Sequence, residues 1–158
     1  ITDSLVGSEM CIRDSFDTWA GLLSVEDYHR IALPATQRAI EVFRERAERR
    51  VPLIHYAKGS GHLHEAIRTL DIDALSLDWR DDLRANRTSF GDRFAFQGNL
   101  DPSRMHGTPE AARTAAQRVL NEAGDAPGHV FNLGHGFAPG AQIDCVEAVL
   151  RLITGESA

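Results

Sequence analysis

Five short stretches of this sequence combine residues that could bind or transform a ligand, and the last four each follow an apolar run. They read Phe16-Asp17-Thr18-Trp19-Ala20-Gly21, Tyr56-Ala57-Lys58-Gly59, Leu77-Asp78-Trp79, Gln97-Gly98-Asn99-Leu100-Asp101-Pro102 and Asn132-Leu133-Gly134-His135-Gly136. The strongest local feature is Gly134-His135-Gly136. Glycines on both sides permit unusual backbone angles and close approach of a ligand. An imidazole between them can donate to a carboxylate. Taken alone, the tripeptide is also explained by a capping loop with an exposed His.

The other histidines promise less. His62 and His64 could bind a metal from a strand, but at helical spacing residues i and i+2 diverge. Both are therefore expected on a polar helix face. His29, His55, His106 and His129 have no spacing partners, and no metal site is read. The sequence holds no phosphate loop, no G-x-S-x-G elbow and no dinucleotide fingerprint.

The elements that must position these stretches alternate. Residues 51–57 (VPLIHYA), 74–77 (ALSL), 93–97 (RFAFQ) and 129–133 (HVFNL) read as strands. A fifth strand ends at residues 16–18. Between them, Leu63, Ile67 and Leu70 repeat at helical spacing, and residues 81–86 suggest a short helix. Thr108-Pro109-Glu110 starts a helix with an N-cap hydroxyl, a first-turn proline and an acid near the positive dipole end. Gly124 stops it. Ser24 opens the first long helix, with Glu26 and Asp27 in its first turn, and Pro34 should kink or restart it. Its tail, residues 44–50, mixes both charge signs and reads as a solvated face. Ile143, Val146, Val149 or Leu150, and Ile153 give the last helix its expected buried stripe.

Strict alternation of strand and helix means parallel strands with right-handed crossovers. A complete (β/α)8 barrel needs about 250 residues. The pattern is therefore either an open doubly wound sheet or a piece of a barrel. In both, function gathers where strands end. All five polar stretches fall at strand ends, and nothing comparable stands at strand starts.

Composition narrows the classes. With 42% apolar and 25% charged residues among 158, the chain is globular and long enough for a real core. No apolar run approaches the roughly 20 residues of a membrane span, and no export signal is read. The net charge of −6 argues against nucleic acid as the main partner. An anionic substrate would have to be held by local Arg, His and backbone donors. Cys11 and Cys145 match no metal or redox spacing. A reducing, cytoplasmic setting is expected. Residues 1–15 (ITDSLVGSEMCIRDS) fit no strand that could feed Phe16, because polar residues interrupt them. They are set apart as an artefact resembling translated adaptor sequence, or as a disordered terminus with few contacts.

Four strand ends in order, F-D-T-W-A-G, L-D-W, Q-G-N-L-D-P and F-N-L-G-H-G, resemble successive signatures of the uroporphyrinogen decarboxylase family. The resemblance runs from residue 16 to about residue 153. It implies an α/β fold, with this chain holding strands four to eight of a (β/α)8 TIM-type barrel. It implies cofactor-free and metal-free decarboxylation of the four acetate side chains of uroporphyrinogen III, giving coproporphyrinogen III in haem biosynthesis. Thr18 matches a substrate-binding Ser or Thr of the family, and His135 a substrate-binding His. Asp78, Asn99 and Asp101 fall in family signatures and are assigned to the site wall, with buried loop caps as the other reading. The family's arginine motif, its pyrrole-binding Asp and its substrate-binding Tyr have no match in these residues. The resemblance thus implies that the chain alone is inactive and that the full-length enzyme is a homodimer. No nucleic acid or membrane partner is expected.

Two other classes compete. A corrinoid-linked methyltransferase shares the barrel and activates a thiol with zinc held by His and Cys at strand ends. Here Cys145 falls inside the last helix pattern, and no strand end offers Cys. A non-catalytic α/β binding module would need a self-sufficient open sheet with covered edges.

Overall fold

The computed structural model describes residues 12–125 and 127–156. The chain divides into two compact units, Ile1–Leu75 and Ser76–Ala158. In the first unit the strand order is β1 (Arg13–Asp17), β2 (Leu53–Ala57), β3 (Ala74–Ser76). In the second it is β3, β4 (Ala95–Gln97), β5 (His129–Val130), the boundary falling within β3. The pairs β1–β2 and β4–β5 are parallel, as the alternating pattern requires.

In the first unit, β2 is buried along its whole length, which suits an apolar run covered on both faces. β1 is polar and half-exposed, yet it pairs with β2 from Arg13↔Leu53 to Asp17↔Ala57. It therefore starts three residues inside the segment set apart from sequence. The reason is that a ladder with a good neighbouring strand outweighs weak intrinsic strand preference. Residues 1–11 lie outside the described residues.

Ser24 caps α1 (Val25–Asp27), its Oγ accepting from the Asp27 N–H at 3.1 Å. The chain then passes through a wide π turn, Tyr28–Ala32, into α2 (Leu33–Arg46). Pro34 sits in the first turn of α2, where its missing N–H disturbs least. Helical direction thus restarts through a widened turn.

Two expectations fail in this unit. The tail at residues 44–50 is not all solvated: Arg44 is only 14% exposed. Its guanidinium donates to the Val51 carbonyl, to the Asp71 carbonyl at 3.0 Å and to Asp73 Oδ2 at 2.7 Å. Asp73 also accepts from the Leu53 N–H at 2.8 Å. Burial pushes the Asp73 carboxyl up, but the Leu53 N–H with Arg44 and Arg50 holds it below its ordinary range. This cluster pins the start of β2. His64, expected on a polar helix face, is buried in α3 (His64–Ile67). Its helix is one turn long and follows a 3-10 turn at Gly61–Leu63, so the regular helical face assumed for H-x-H does not develop. His62 does stay exposed, its Nε2 bonded to the Leu23 carbonyl at 2.9 Å.

Tyr28 and His55 are fully buried between these elements. Burial drives the His55 pKa down to about 4, with Asp17 opposing. Burial, and then Asp17, raises the Tyr28 pKa to about 12.

In the second unit, α4 (Leu83–Phe90) begins at an Asp82 cap, two residues later than the sequence suggests. Phe90, Phe94 and Phe96 pack ring to ring beside it, with centroids 5.8–6.5 Å apart. A 3-10 turn at Pro102–His106 leads to α5 (Pro109–Ala123). α5 matches its sequence signals closely. Thr108 caps it, Pro109 opens it, and it stops at Gly124, whose φ of 67° favours glycine. β5 is two residues long, and an isolated parallel bridge, Leu100↔Leu133, extends its pairing.

The last helix, α6 (Ile143–Thr154), packs on α5 with only part of the expected stripe: Val149 is buried and Val146 half-buried, and Cys145 joins them. Cys145 and Val149 are buried, whereas Ile143, Leu150 and Ile153 are exposed. Its sequence is apolar on several sides, so periodicity alone could not choose among them. α5 and α6 pack on each other, and Ala112 and Ala116 on α5 and Cys145 and Val149 on α6 are all buried. Among the described residues no helix is long and apolar enough to cross a membrane.

Candidate functional site

The first unit presents the end of β1. Asp17 Oδ1 accepts from the Ala20 N–H at 3.0 Å, which turns the chain. Thr18 follows, exposed, and Trp19 is exposed beside it. A Cβ on Gly21 would lie 2.2 Å from the Lys58 carbonyl oxygen, so only glycine lets the first loop meet the second. Within F-D-T-W-A-G, Asp17 and Gly21 hold the loop, and Thr18 is the residue presented.

The second unit holds the other four candidates. The Asp78 side chain is completely buried, and it receives a two-pronged bond from Arg80: Nε to Oδ1 at 2.8 Å and Nη2 to Oδ2 at 2.6 Å. The Arg80 N–H adds a third bond to Oδ1 at 2.9 Å. A buried carboxylate needs such pairing to be tolerated. Asn99 is buried beside it, its Nδ2 donating to the Asp78 carbonyl at 2.9 Å and the Asp81 carbonyl at 2.7 Å. Asp78 and Asn99 therefore form one network that ties the loop after β4 to the loop after β3. Asp101 does a separate job. Its Oδ1 accepts from the Ser103 N–H at 2.9 Å and caps the 3-10 turn at Pro102–His106.

His135 reaches this network through Trp79. The two rings stand 6.0 Å apart, tilted by 31°. The glycines around His135 work differently from the sequence expectation. Neither has the positive φ that only glycine favours. A Cβ on Gly134 would fall 2.3 Å from the Trp79 nitrogen, whereas one on Gly136 would meet nothing within 4 Å. Gly134 is thus needed so that the backbone can lie against Trp79, and that contact sets where His135 stands.

Sequence reasoning missed two participants. Arg80 stacks on the Trp79 ring, 4.6 Å from its centroid, and an Arg two residues after a strand-end Asp was the available signal. His129, set aside for lack of spacing partners, donates from Nε2 to the Gly98 carbonyl at 2.7 Å. Burial lowers its pKa, the bond to Gly98 opposes this, and the Arg87 charge lowers it further. No spacing rule could have shown this, because its partner is a backbone carbonyl 31 residues away. Among the described residues no group of three or more His, Cys, Asp or Glu stands ready to hold a metal ion.

The family pattern described as uroporphyrinogen decarboxylase (URO-D) matches residues 7–155. The chain belongs to the uroporphyrinogen decarboxylase family. It is 42% identical over 139 residues to the uroporphyrinogen decarboxylase of Coxiella burnetii (strain RSA 493 / Nine Mile phase I), across 87% of this chain and 38% of that protein. It is 44% identical over 139 residues to that of Aromatoleum aromaticum, with the same coverage. It is 40% identical over 144 residues to that of Alcanivorax borkumensis, across 87% and 40%. The chain thus spans about two fifths of the length of these uroporphyrinogen decarboxylases. In fold it is similar to a solved methyltransferase from Methanosarcina mazei, with a TM-score of 0.75, 16% identity, and coverage of 93% of this chain and 42% of that one. That likeness is one of fold, and it agrees with the α/β barrel class that family membership implies. The family match begins at residue 7, earlier than the resemblance legible from residue 16.

Proposed function

We propose that this chain is the C-terminal part of a uroporphyrinogen decarboxylase, contributing strands four to eight of its barrel. The observation that carries the reading is the family match across residues 7–155. The substrate is the tetrapyrrole uroporphyrinogen, and each of its four acetate side chains becomes a methyl group. Protonation of a pyrrole carbon creates a cationic electron sink. The bond from the side-chain methylene to the carboxylate then breaks, CO2 leaves, and the electron pair flows into the ring. A proton taken up at the methylene and one lost from the ring complete the step. No cofactor or metal enters this scheme.

In it, Thr18 and His135 hold substrate, each presented at a loop that other residues brace. Asp78 and Asn99 shape the wall through their buried network, and Asp101 shapes the following loop. The carboxylate that receives the pyrrole N–H groups and the arginine motif belong to parts of the family's barrel that these residues do not match. The enzyme works as a cytoplasmic homodimer in this reading.

The test is His135→Asn in the full-length protein, assayed on uroporphyrinogen and on its partly decarboxylated intermediates. A hydrogen bond to a charged group is worth about 1.5–3 kcal/mol, so kcat/KM should fall about ten- to a hundredfold. Wild-type rates at every step would make His135 a structural loop residue. The isolated 158-residue chain serves as the control and should show no turnover.

A further inference from the structure

We infer that Arg80 binds a carboxylate of the substrate, from a mount that Asp78 and Trp79 build for it. The inference rests on the reading above and adds a residue that the family signatures do not supply.

Three observations converge on this guanidinium. The Arg80 side chain is 55% exposed, although the Asp78 side chain that grips it is completely buried. The two-pronged bond to Asp78, at 2.6 and 2.8 Å, fixes the guanidinium plane. A solvent-facing Arg side chain normally wanders among rotamers, and holding it costs conformational entropy. Here the protein has met that cost before any ligand arrives. The cation also lies over the Trp79 ring at 4.6 Å, and the His135 ring stands 6.0 Å from the same indole. Trp79 thus touches two side chains of the kind that can donate to an anion, Arg80 and His135.

The pairing with Asp78 fixes the side chain, and its exposure leaves it within reach of a ligand. The Arg–Asp pair is neutral as a whole, so recognition depends on directed N–H donors rather than on a long-range field. Directed, planar donation is what a carboxylate takes from Arg. A substrate with eight carboxylates needs several such donors, and a chain of net charge −6 must supply them locally.

The test uses the full-length protein with uroporphyrinogen under anaerobic conditions. Arg80→Gln alone would leave Asp78 buried without its cation. The informative variant is therefore the double change Arg80→Gln with Asp78→Asn, alongside Arg80→Lys. The double variant should raise KM about tenfold or more, by a larger factor than it lowers kcat, since the proposed contact is one of binding. Its thermal midpoint should stay near wild type. Arg80→Lys keeps the charge but not the planar fork, so its KM should lie between the two. A double variant with wild-type KM overturns the inference, as does a loss confined to kcat. Should the double variant not fold, Arg80→Lys decides, and an unchanged KM there is equally fatal. Wild-type turnover separates the two claims. Without it the functional reading falls and takes this inference with it; with it, an unchanged KM sinks only the inference.

Discussion

Asp17 and Asp78 occupy matching places, each at the end of a strand, yet they do different work. Asp17, in the first unit, turns its carboxylate to the Ala20 N–H and stays partly exposed. Asp78, in the second, is wholly buried and grips the Arg80 side chain and backbone. The difference lies downstream. After Asp17 come Thr18 and Trp19, which face solvent; after Asp78 come Trp79 and Arg80, which stack on each other. A strand-end aspartate is thus a turn cap or the anchor of a charged platform according to the two residues after it. Each loop is also closed by a glycine pressed against another backbone, Gly21 on Lys58 and Gly134 on Trp79.

The strongest way to break this comparison is to remove the glycines. Gly21→Ala and Gly134→Ala place a methyl 2.2–2.3 Å from backbone atoms that cannot swing aside. Each should destabilise the full-length protein by about 3 kcal/mol or more in urea titrations. Gly136→Ala, which meets open space, should change stability by less than about 0.5 kcal/mol. Equal effects at Gly134 and Gly136 would remove the contact with Trp79 as the reason for that glycine.

Protonation separates the units next. The His55 pKa is pushed down to about 4 and that of His129 is also lowered, in both cases chiefly by burial. In the unfolded chain both titrate near 6.5, so below that pH the unfolded state binds more protons than the folded one. Stability therefore rises with pH, is fully present above about 6.5, and is lost as pH falls toward 4. His55 alone should account for about 3 kcal/mol of that loss, at 1.36 kcal/mol per pH unit. Urea unfolding at pH 7 and pH 4.5 should show the drop, and His55→Asn should remove most of it. His129, half-buried and bonded to Gly98, should contribute the smaller part. An unchanged slope in His55→Asn would mean that other groups carry the acid sensitivity.

The smallest effect is expected at Thr18. Asp17 and Gly21 hold its loop, so Thr18→Ala should alter unfolding free energy by less than about 0.5 kcal/mol. A large loss of stability would show that the hydroxyl braces the loop, and its proposed role toward substrate would then lose its footing.

Much of this was legible in the sequence because it is local. The cap at Thr108, the proline after it and the stop at Gly124 bracket α5 within a turn at each end. The apolar runs of β2, β3 and β4 and the polar residues after them predict both the parallel alternation and the loops where Asp78, Asn99 and Asp101 lie. Tertiary structure decided what depends on distant partners. β1 is a strand because β2 is beside it, not because Arg-Asp-Ser favours one. Arg44 left the solvated tail because Asp73 waits 29 residues on. α6 buries Cys145 and Val149 rather than Ile143 because it packs on α5. Asn99 became a staple because the Asp78 carbonyl, 21 residues earlier, came within 2.9 Å. Period, caps and turn residues act through neighbours a few positions away and can be read along the chain. Burial, ion pairing and ring stacking act through neighbours that exist only once the chain has folded.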